Sequence, residues 1–254
     1  TMMNHKLRRN HPKPRPEVNT LSSHVLTDLN APQLSARQFE VLLGHIGVHP
    51  PAPTALGNPG ALGLGGFALT TFMLSVFNAG SNLIDKSLEG VVLPVALFYG
   101  GIAQFAAGMW EFRINNTFGG TAFTSYGAFW MSFAFYVYFI VPKLAATGKT
   151  ANATGLFLLS WFIFTLYMNV AAWRTSRLLF LLFTVLNITF LLLIIGDLAD
   201  SSIVTNVGGW FGIVTAIIAW YGSAANVINI TWKKNVVALG LYKHEEKPTE
   251  DSKA

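Results

Sequence analysis

From residue 41 onward, long stretches without Asp, Glu, Lys or Arg alternate with short charged breaks: residues 41–84, 90–110, 114–142, 150–173, 178–196 and 201–232 contain none of the four. A helix needs about 20 apolar residues to cross a bilayer. The pattern therefore predicts six spans, near 61–80, 91–110, 120–142, 153–172, 178–197 and 207–230. These runs are continuously apolar and lack the two-residue alternation of barrel strands, and helices satisfy their own backbone groups in lipid. The expected fold is an all-α integral membrane protein, a six-helix transmembrane domain over 54–232 between an N-terminal tail, 1–53, and a C-terminal tail, 233–254. The N-terminal tail is rich in Pro, His and Asn and is expected to be largely disordered. Within it Ser35 and Gln38 read as a capping box ahead of Phe39, Val41, Leu42, Leu43 and Ile46. That stretch reads either as a short amphipathic helix on the membrane face or as an incidental apolar patch.

Composition agrees with the pattern. Of 254 residues 52% are hydrophobic and 11% charged, against roughly 25% charged in an average soluble domain. Cysteine is absent, which excludes disulfide frameworks, thiolate metal sites and iron–sulfur clusters. His5, His11, His24, His45, His49 and His244 all lie outside the six spans, which excludes histidine-rich membrane metal centres. No cofactor is expected, and no nucleophile, base and acid can be assembled in the body, so an enzyme is not expected either. The net charge of +5 is spread over tails and loops without a dense cluster, which argues against a nucleic-acid partner.

Six spans put both termini on one side. That side collects 14 basic residues against Lys86, Lys143 and Lys149 on the other; counting only short loops and span-flanking positions leaves 5 against 3. Positive-inside bias then places both termini in the cytoplasm, in a protein expected in the plasma membrane.

The spans contain almost no ionisable groups, the usual markers of an ion or proton path. Glu111 closes the second span and is the carboxylate candidate for proton coupling, with interfacial anchoring as its other reading. Neutral hydrogen-bonding residues are frequent instead. Thr70, Gln104, Thr121, Thr124 and Ser125 are candidates for substrate binding, alongside Thr71, Ser75, Asn78, Asn169, Asn187 and Asn226, and helix-to-helix bonding is the plainer role for most of them. Glycine pairs at 65–66, 100–101, 119–120 and 208–209 suit close helix approach. Gly119 and Gly120 follow the polar stretch EFRINNTF, a break tolerated at membrane depth where it lines a cavity or is buried in protein. Asn58-Pro59-Gly60 precedes the first span. Asn caps a helix and Pro suits its first position, so free N–H groups there, with Asn58 and Gly60, are candidates for holding a carboxylate.

The strings NPGALGLGGFALTT, 58–71, and LFYGGIAQFAAGMWEFRINNTFGGTAFTSYGAFW, 97–130, resemble the acetate uptake transporter family, which includes the bacterial succinate-acetate permease and the fungal acetate permeases and ammonia exporters. The resemblance covers roughly 58–230. It implies six transmembrane helices per protomer, a homohexamer, and a separate solute path through each protomer. It further implies a Phe-Tyr-Leu constriction, here Phe67, Tyr126 and Leu186, with the Tyr126 hydroxyl offering the passing solute a hydrogen bond. Leu182, four residues before Leu186, serves as a reference position on the same helix. One departure stands out: the family's first motif usually reads Asn-Pro-Ala-Pro-Leu-Gly-Leu, and this chain has Gly60 and Ala61 in place of Ala-Pro.

The function expected from these readings is a transporter or channel for acetate and other short carboxylates, working among membrane lipid. An ammonium or ammonia exporter is the alternative of the same kind. A membrane scaffold or sensor without transport is the alternative of a different kind.

Overall fold

The structure, a computed structural model, describes residues 56–80 and 82–241. The expected amphipathic helix at 35–46 lies outside the described residues. Among the described residues six helices are long and apolar enough to cross a membrane: α1 Gly60–Asn78, α2 Lys86–Arg113, α3 Thr117–Ala145, α4 Thr150–Ala172, α5 Arg177–Leu198 and α6 Ser202–Thr231. The chain is a multi-pass integral membrane protein, all-helical in its described residues. Consecutive helices pack side by side and α6 returns to α1, so the six close into a ring. Large apolar side chains such as Leu156, Val170 and Ile203 point outward and are exposed, as a lipid-facing surface requires.

Local chemistry sets the ends of these helices. Asn58 Oδ1 accepts a 2.8 Å hydrogen bond from Gly60 N, so Asn58 caps α1 while Pro59, with helical dihedrals, stands just ahead of it. Asn116 Oδ1 accepts from Gly119 N at 3.1 Å and caps α3, and Ser176 Oγ accepts from Leu179 N at 3.1 Å and caps α5. In the exposed loop before α2, the Ser87 amide holds the Asp85 carboxyl below the usual carboxylate range.

Two helices carry widened turns that the hydrophobic pattern does not reveal. In α3 the π-helical turn Tyr136–Ile140 precedes Pro142, whose ring nitrogen cannot donate to the preceding turn. In α2 the π-helical turn Phe98–Ala103 contains Gly100 and Gly101. Glycines admit this turn against α1: a methyl on Gly66 would stand 2.7 Å from the Tyr99 carbonyl oxygen, closer than any side chain tolerates. Gly66 and Gly100 thus serve the contact between α1 and α2, Gly100 against Thr70, while Gly101 packs on Met131 of α3. Gly209 lies equally close to the backbone of Asn78 and Ala79, where α6 crosses α1; Gly212 packs on Ser75 of the same helix, and Gly208 packs on Leu192 and Leu193 of α5.

The polar break between α2 and α3 is shorter than the stretch EFRINNTF suggests. It narrows to Ile114–Asn116, with Asn115 at φ 62°, and Gly119 and Gly120 already lie in the first turn of α3. Aromatic rings fill the interior between α3, α4 and α5. Phe129 lies 5.2 Å from Trp161 and 5.6 Å from Phe157, centroid to centroid, distances at which such pairs add attraction beyond the area they bury.

Candidate functional site

A cavity of about 210 Å³ runs into the ring of helices from the end that carries the start of α1 and the end of α6. Asn58 and Gly60 line it from the start of α1, Glu111, Asn116 and Gly119 from the turn joining α2 to α3, Thr175 and Ser176 from the loop joining α4 to α5, and Asn226 from α6. Deeper in, its walls are Leu64, Gln104, Ala122, Phe123, Leu182 and Phe183, and it reaches Phe67, Tyr126 and Leu186.

The polar groups at the wide end are tied to one another. Asn58 Nδ2 donates to Asn226 Oδ1 at 3.1 Å, and Asn226 Nδ2 donates to the Gly222 carbonyl at 2.9 Å. Glu111 is 2% exposed, and its Oε2 accepts a 2.7 Å hydrogen bond from Asn116 Nδ2. Its carboxyl group lies between two helix starts. A methyl on Gly60 would stand 3.0 Å from Glu111 Oε1, and one on Gly119 would stand 3.0 Å from Oε2. The partial positive charge of both helix ends therefore already faces a carboxyl group of the protein itself.

The segment after α6 completes the rim. Asn229 Oδ1 accepts from the amides of Val236 and Val237 at 2.8 and 2.9 Å, and the Tyr221 hydroxyl donates to the Ala238 carbonyl at 2.8 Å. Arg177 N then donates to the Gly240 carbonyl at 3.0 Å, and Ser176 pairs with Leu241 as an isolated bridge. Leu239 and Leu241 consequently line the mouth.

At the inner end the Phe67 and Tyr126 rings lie 5.4 Å apart, and both residues are buried, as is Leu186. The Tyr126 hydroxyl is 2.8 Å from Thr165 Oγ1. Thr165 gives its own hydroxyl hydrogen to the Trp161 carbonyl at 2.7 Å, so Tyr126 is the donor of the pair. Its hydrogen points to Thr165, and toward the cavity it presents lone pairs that can accept a hydrogen bond. One helical turn past Phe67 and Tyr126 come Thr71 and Trp130, whose Oγ1 and Nε1 make no hydrogen bond within the protein.

Among the residues singled out in the sequence, the cavity brings together Asn58, Gly60, Phe67, Gln104, Glu111, Gly119, Tyr126, Leu186 and Asn226. Thr70, Thr121, Thr124 and Ser125 are not part of its lining. Thr70 Oγ1 donates to Gly66 O at 2.9 Å, and its side chain packs on Gly100. Thr124 packs on Gly108, where α3 crosses α2. Leu182 lines the cavity and so fails as a reference remote from the path. The sequence reading missed Asn116 and Ser176, although each carries a legible signal as the polar residue opening a helix.

Comparison with known proteins matches this architecture. A protein of Saccharomyces cerevisiae named ammonia transport outward protein 2 is 44% identical over 182 residues, covering 70% of this chain and 64% of that protein. The chain thus spans a little under two thirds of the length of this yeast relative. The succinate-acetate/proton symporter SatP of Escherichia coli is 38% identical over 188 residues, covering 74% of this chain and 97% of the symporter. A solved structure of the bacterial acetate channel SatP superposes with a TM-score of 0.64 at 35% identity, covering 73% of this chain and all of the channel chain. The GPR1/FUN34/yaaH family pattern runs through residues 43–238, from before α1 to past α6, and the chain belongs to that family.

Proposed function

We propose that the protein carries acetate and other short carboxylates across the membrane, through the cavity and past Phe67, Tyr126 and Leu186. The observation that carries this reading is the cavity itself. It lies inside the ring of membrane-crossing helices and is lined by α1, α2, α3, α5 and α6, with neutral polar groups and the Glu111 carboxyl at its wide end and the apolar side chains of Phe67 and Leu186 beside Tyr126 at its inner end, surroundings that few hydrated solutes pass unaided. The bacterial symporter and channel, both matched over nearly their whole length, support it. A solute path, not a catalytic centre, is the role this geometry suits.

Asn58, Gly60 and Gln104 are the binding residues of this reading, Phe67, Tyr126 and Leu186 its constriction, and Glu111 its carboxylate for proton coupling. Thr70 and Thr124 affect transport through helix packing, on Gly100 and Gly108. The protein acts in the plasma membrane with both termini cytoplasmic, in keeping with the basic residues around those ends. It assembles as a homohexamer, each protomer holding its own path; a detergent-corrected mass of one or two chains under mild extraction would refute this.

The test is uptake of labelled acetate into proteoliposomes, compared with empty vesicles and with labelled methylammonium. Acetate uptake above empty vesicles is expected. A second reading, an ammonium or ammonia path, draws on the yeast relative's name and on Glu111 in the cavity wall. Methylammonium uptake without acetate uptake would select it.

A further inference from the structure

Residues 236–241, a strap across the cavity mouth, are held there by hydrogen bonds more than by packing. Asn229 alone supplies three: its Oδ1 accepts from the Val236 and Val237 amides, and its Nδ2 donates to the Val237 carbonyl at 2.8 Å. Tyr221 and Arg177 add one each, to the carbonyls of Ala238 and Gly240. The side chains gain little burial, since Val236 is 50% exposed and Leu241 69%. A few bonds at the protein surface, where water competes for the same groups, must therefore offset the ordering of six residues. Segments held in this way open at far lower cost than the packed helices beside them.

The segment also has a pivot. α6 ends at Thr231, and Lys233 turns the chain back with a left-handed φ of 51°, while Lys234 N donates to the Asn229 carbonyl at 3.1 Å. Glycine is the residue that suits such a turn. A lysine there is kept in place by the bonds that follow it, and once they break its return to ordinary dihedrals swings the strap away from the ring. That movement withdraws Leu239 and Leu241 from the mouth and leaves Asn58, Ser176 and Asn226 open to an arriving solute.

Resting on the acetate reading above, we infer that the strap is a retractable lid over the cavity mouth. Seated, as in the structure, it narrows the entrance with Leu239 and Leu241; released, it admits the solute. The rate of entry then follows the fraction of time that the strap spends away from the mouth. Its anchors Asn229 and Tyr221 do not line the cavity, so they regulate passage without touching the solute.

The chain has no cysteine of its own, so an introduced pair is unambiguous. Ser176 and Leu241 face each other across the antiparallel bridge, beside the bond from Arg177 N to the Gly240 carbonyl. Residues so placed have Cα atoms about 4.5 Å apart, within the reach of a disulfide. The full chain carrying Ser176→Cys and Leu241→Cys is cross-linked before reconstitution into proteoliposomes, and uptake of labelled acetate is measured before and after reduction by a membrane-permeant thiol. Loss of the α5 cap and of the Leu241 side chain is common to both forms, so their ratio reports the lid alone. Cross-linking is expected to lower uptake about tenfold or more, with reduction reversing the loss. Asn229→Ala, which frees three bonds, should raise uptake about threefold or more, and Tyr221→Phe, which frees one, should raise it less. Hydrogen exchange at the Val237 amide should quicken in the same order. Equal uptake by the cross-linked and reduced forms would overturn the inference alone and leave the transport reading standing. Uptake lowered in Asn229→Ala together with its melting temperature would also overturn it, as the mark of a fixed clasp. No acetate uptake by the unaltered chain would overturn both.

Discussion

Asn116 joins two structural duties in one side chain: its Nδ2 donates to Glu111 Oε2 at 2.7 Å while its Oδ1 accepts from Gly119 N at 3.1 Å. The same amide therefore caps α3 and partners the buried carboxyl at the end of α2. Asn116→Ala removes both bonds and should cost about 1–3 kcal/mol. Asn116→Asp keeps the cap but sets carboxylate against carboxylate, and should melt lower than Asn116→Ala. Thermal unfolding of the purified variants in detergent ranks them; Asn116→Asp as stable as the unaltered chain would mean the contact with Glu111 is dispensable.

Asn58 has a similar double tie, to Gly60 N and to Asn226 Oδ1. Asn58→Asp preserves the first and turns the second into a meeting of two oxygens, with added negative charge at the wide end of the cavity. Acetate transport per folded molecule should drop several-fold while expression and assembly persist. Normal transport by this variant would make the motif purely structural.

For the ring, Leu186→Ala should raise succinate flux relative to acetate, because the apolar passage widens. Leu158 is buried and absent from the cavity lining, so Leu158→Ala is the reference for lost packing. A succinate-to-acetate ratio that is the same in both variants would remove Leu186 from the constriction.

The crossing of α2 and α3 should tolerate no added carbon. A methyl on Gly127 would stand 2.7 Å from Phe105 N, a backbone atom that cannot turn aside. Gly127→Ala should therefore destabilise by about 1–3 kcal/mol, read as a lower melting temperature. Gly148→Ala, in the open loop before α4 where nothing lies within 4 Å, should cost only the strain of its positive φ.

The six spans were legible because the bilayer demands apolar runs of a minimum length, and charge-free runs of 19 to 44 residues leave little choice. Which face of each helix meets the cavity was not. In a soluble helix, polarity separates inside from outside. Here lipid and neighbouring helices are both apolar, so Thr70 and Gln104 look equivalent in sequence. One donates its hydroxyl to its own helix, and the other points an unbonded amide into the cavity. The widened turn at Phe98–Ala103 adds to the difficulty, since it rotates the remainder of α2 away from a regular helical register. Phe67 and Tyr126 lie together through α1 and α3, 59 positions apart, and family resemblance anticipated their pairing where local pattern had none to offer.

The strap formed by residues 236–241 has a practical bearing on how the protein is handled. Because Asn229, Tyr221 and Arg177 pin it across the ends of α5 and α6, the backbone holds Leu241 at the cavity mouth. A bulky reporter fused directly after that residue would sit like a cork in a bottleneck. A flux measured on such a fusion would describe the reporter as much as the protein, and a cleavable label is the safer choice for every assay above.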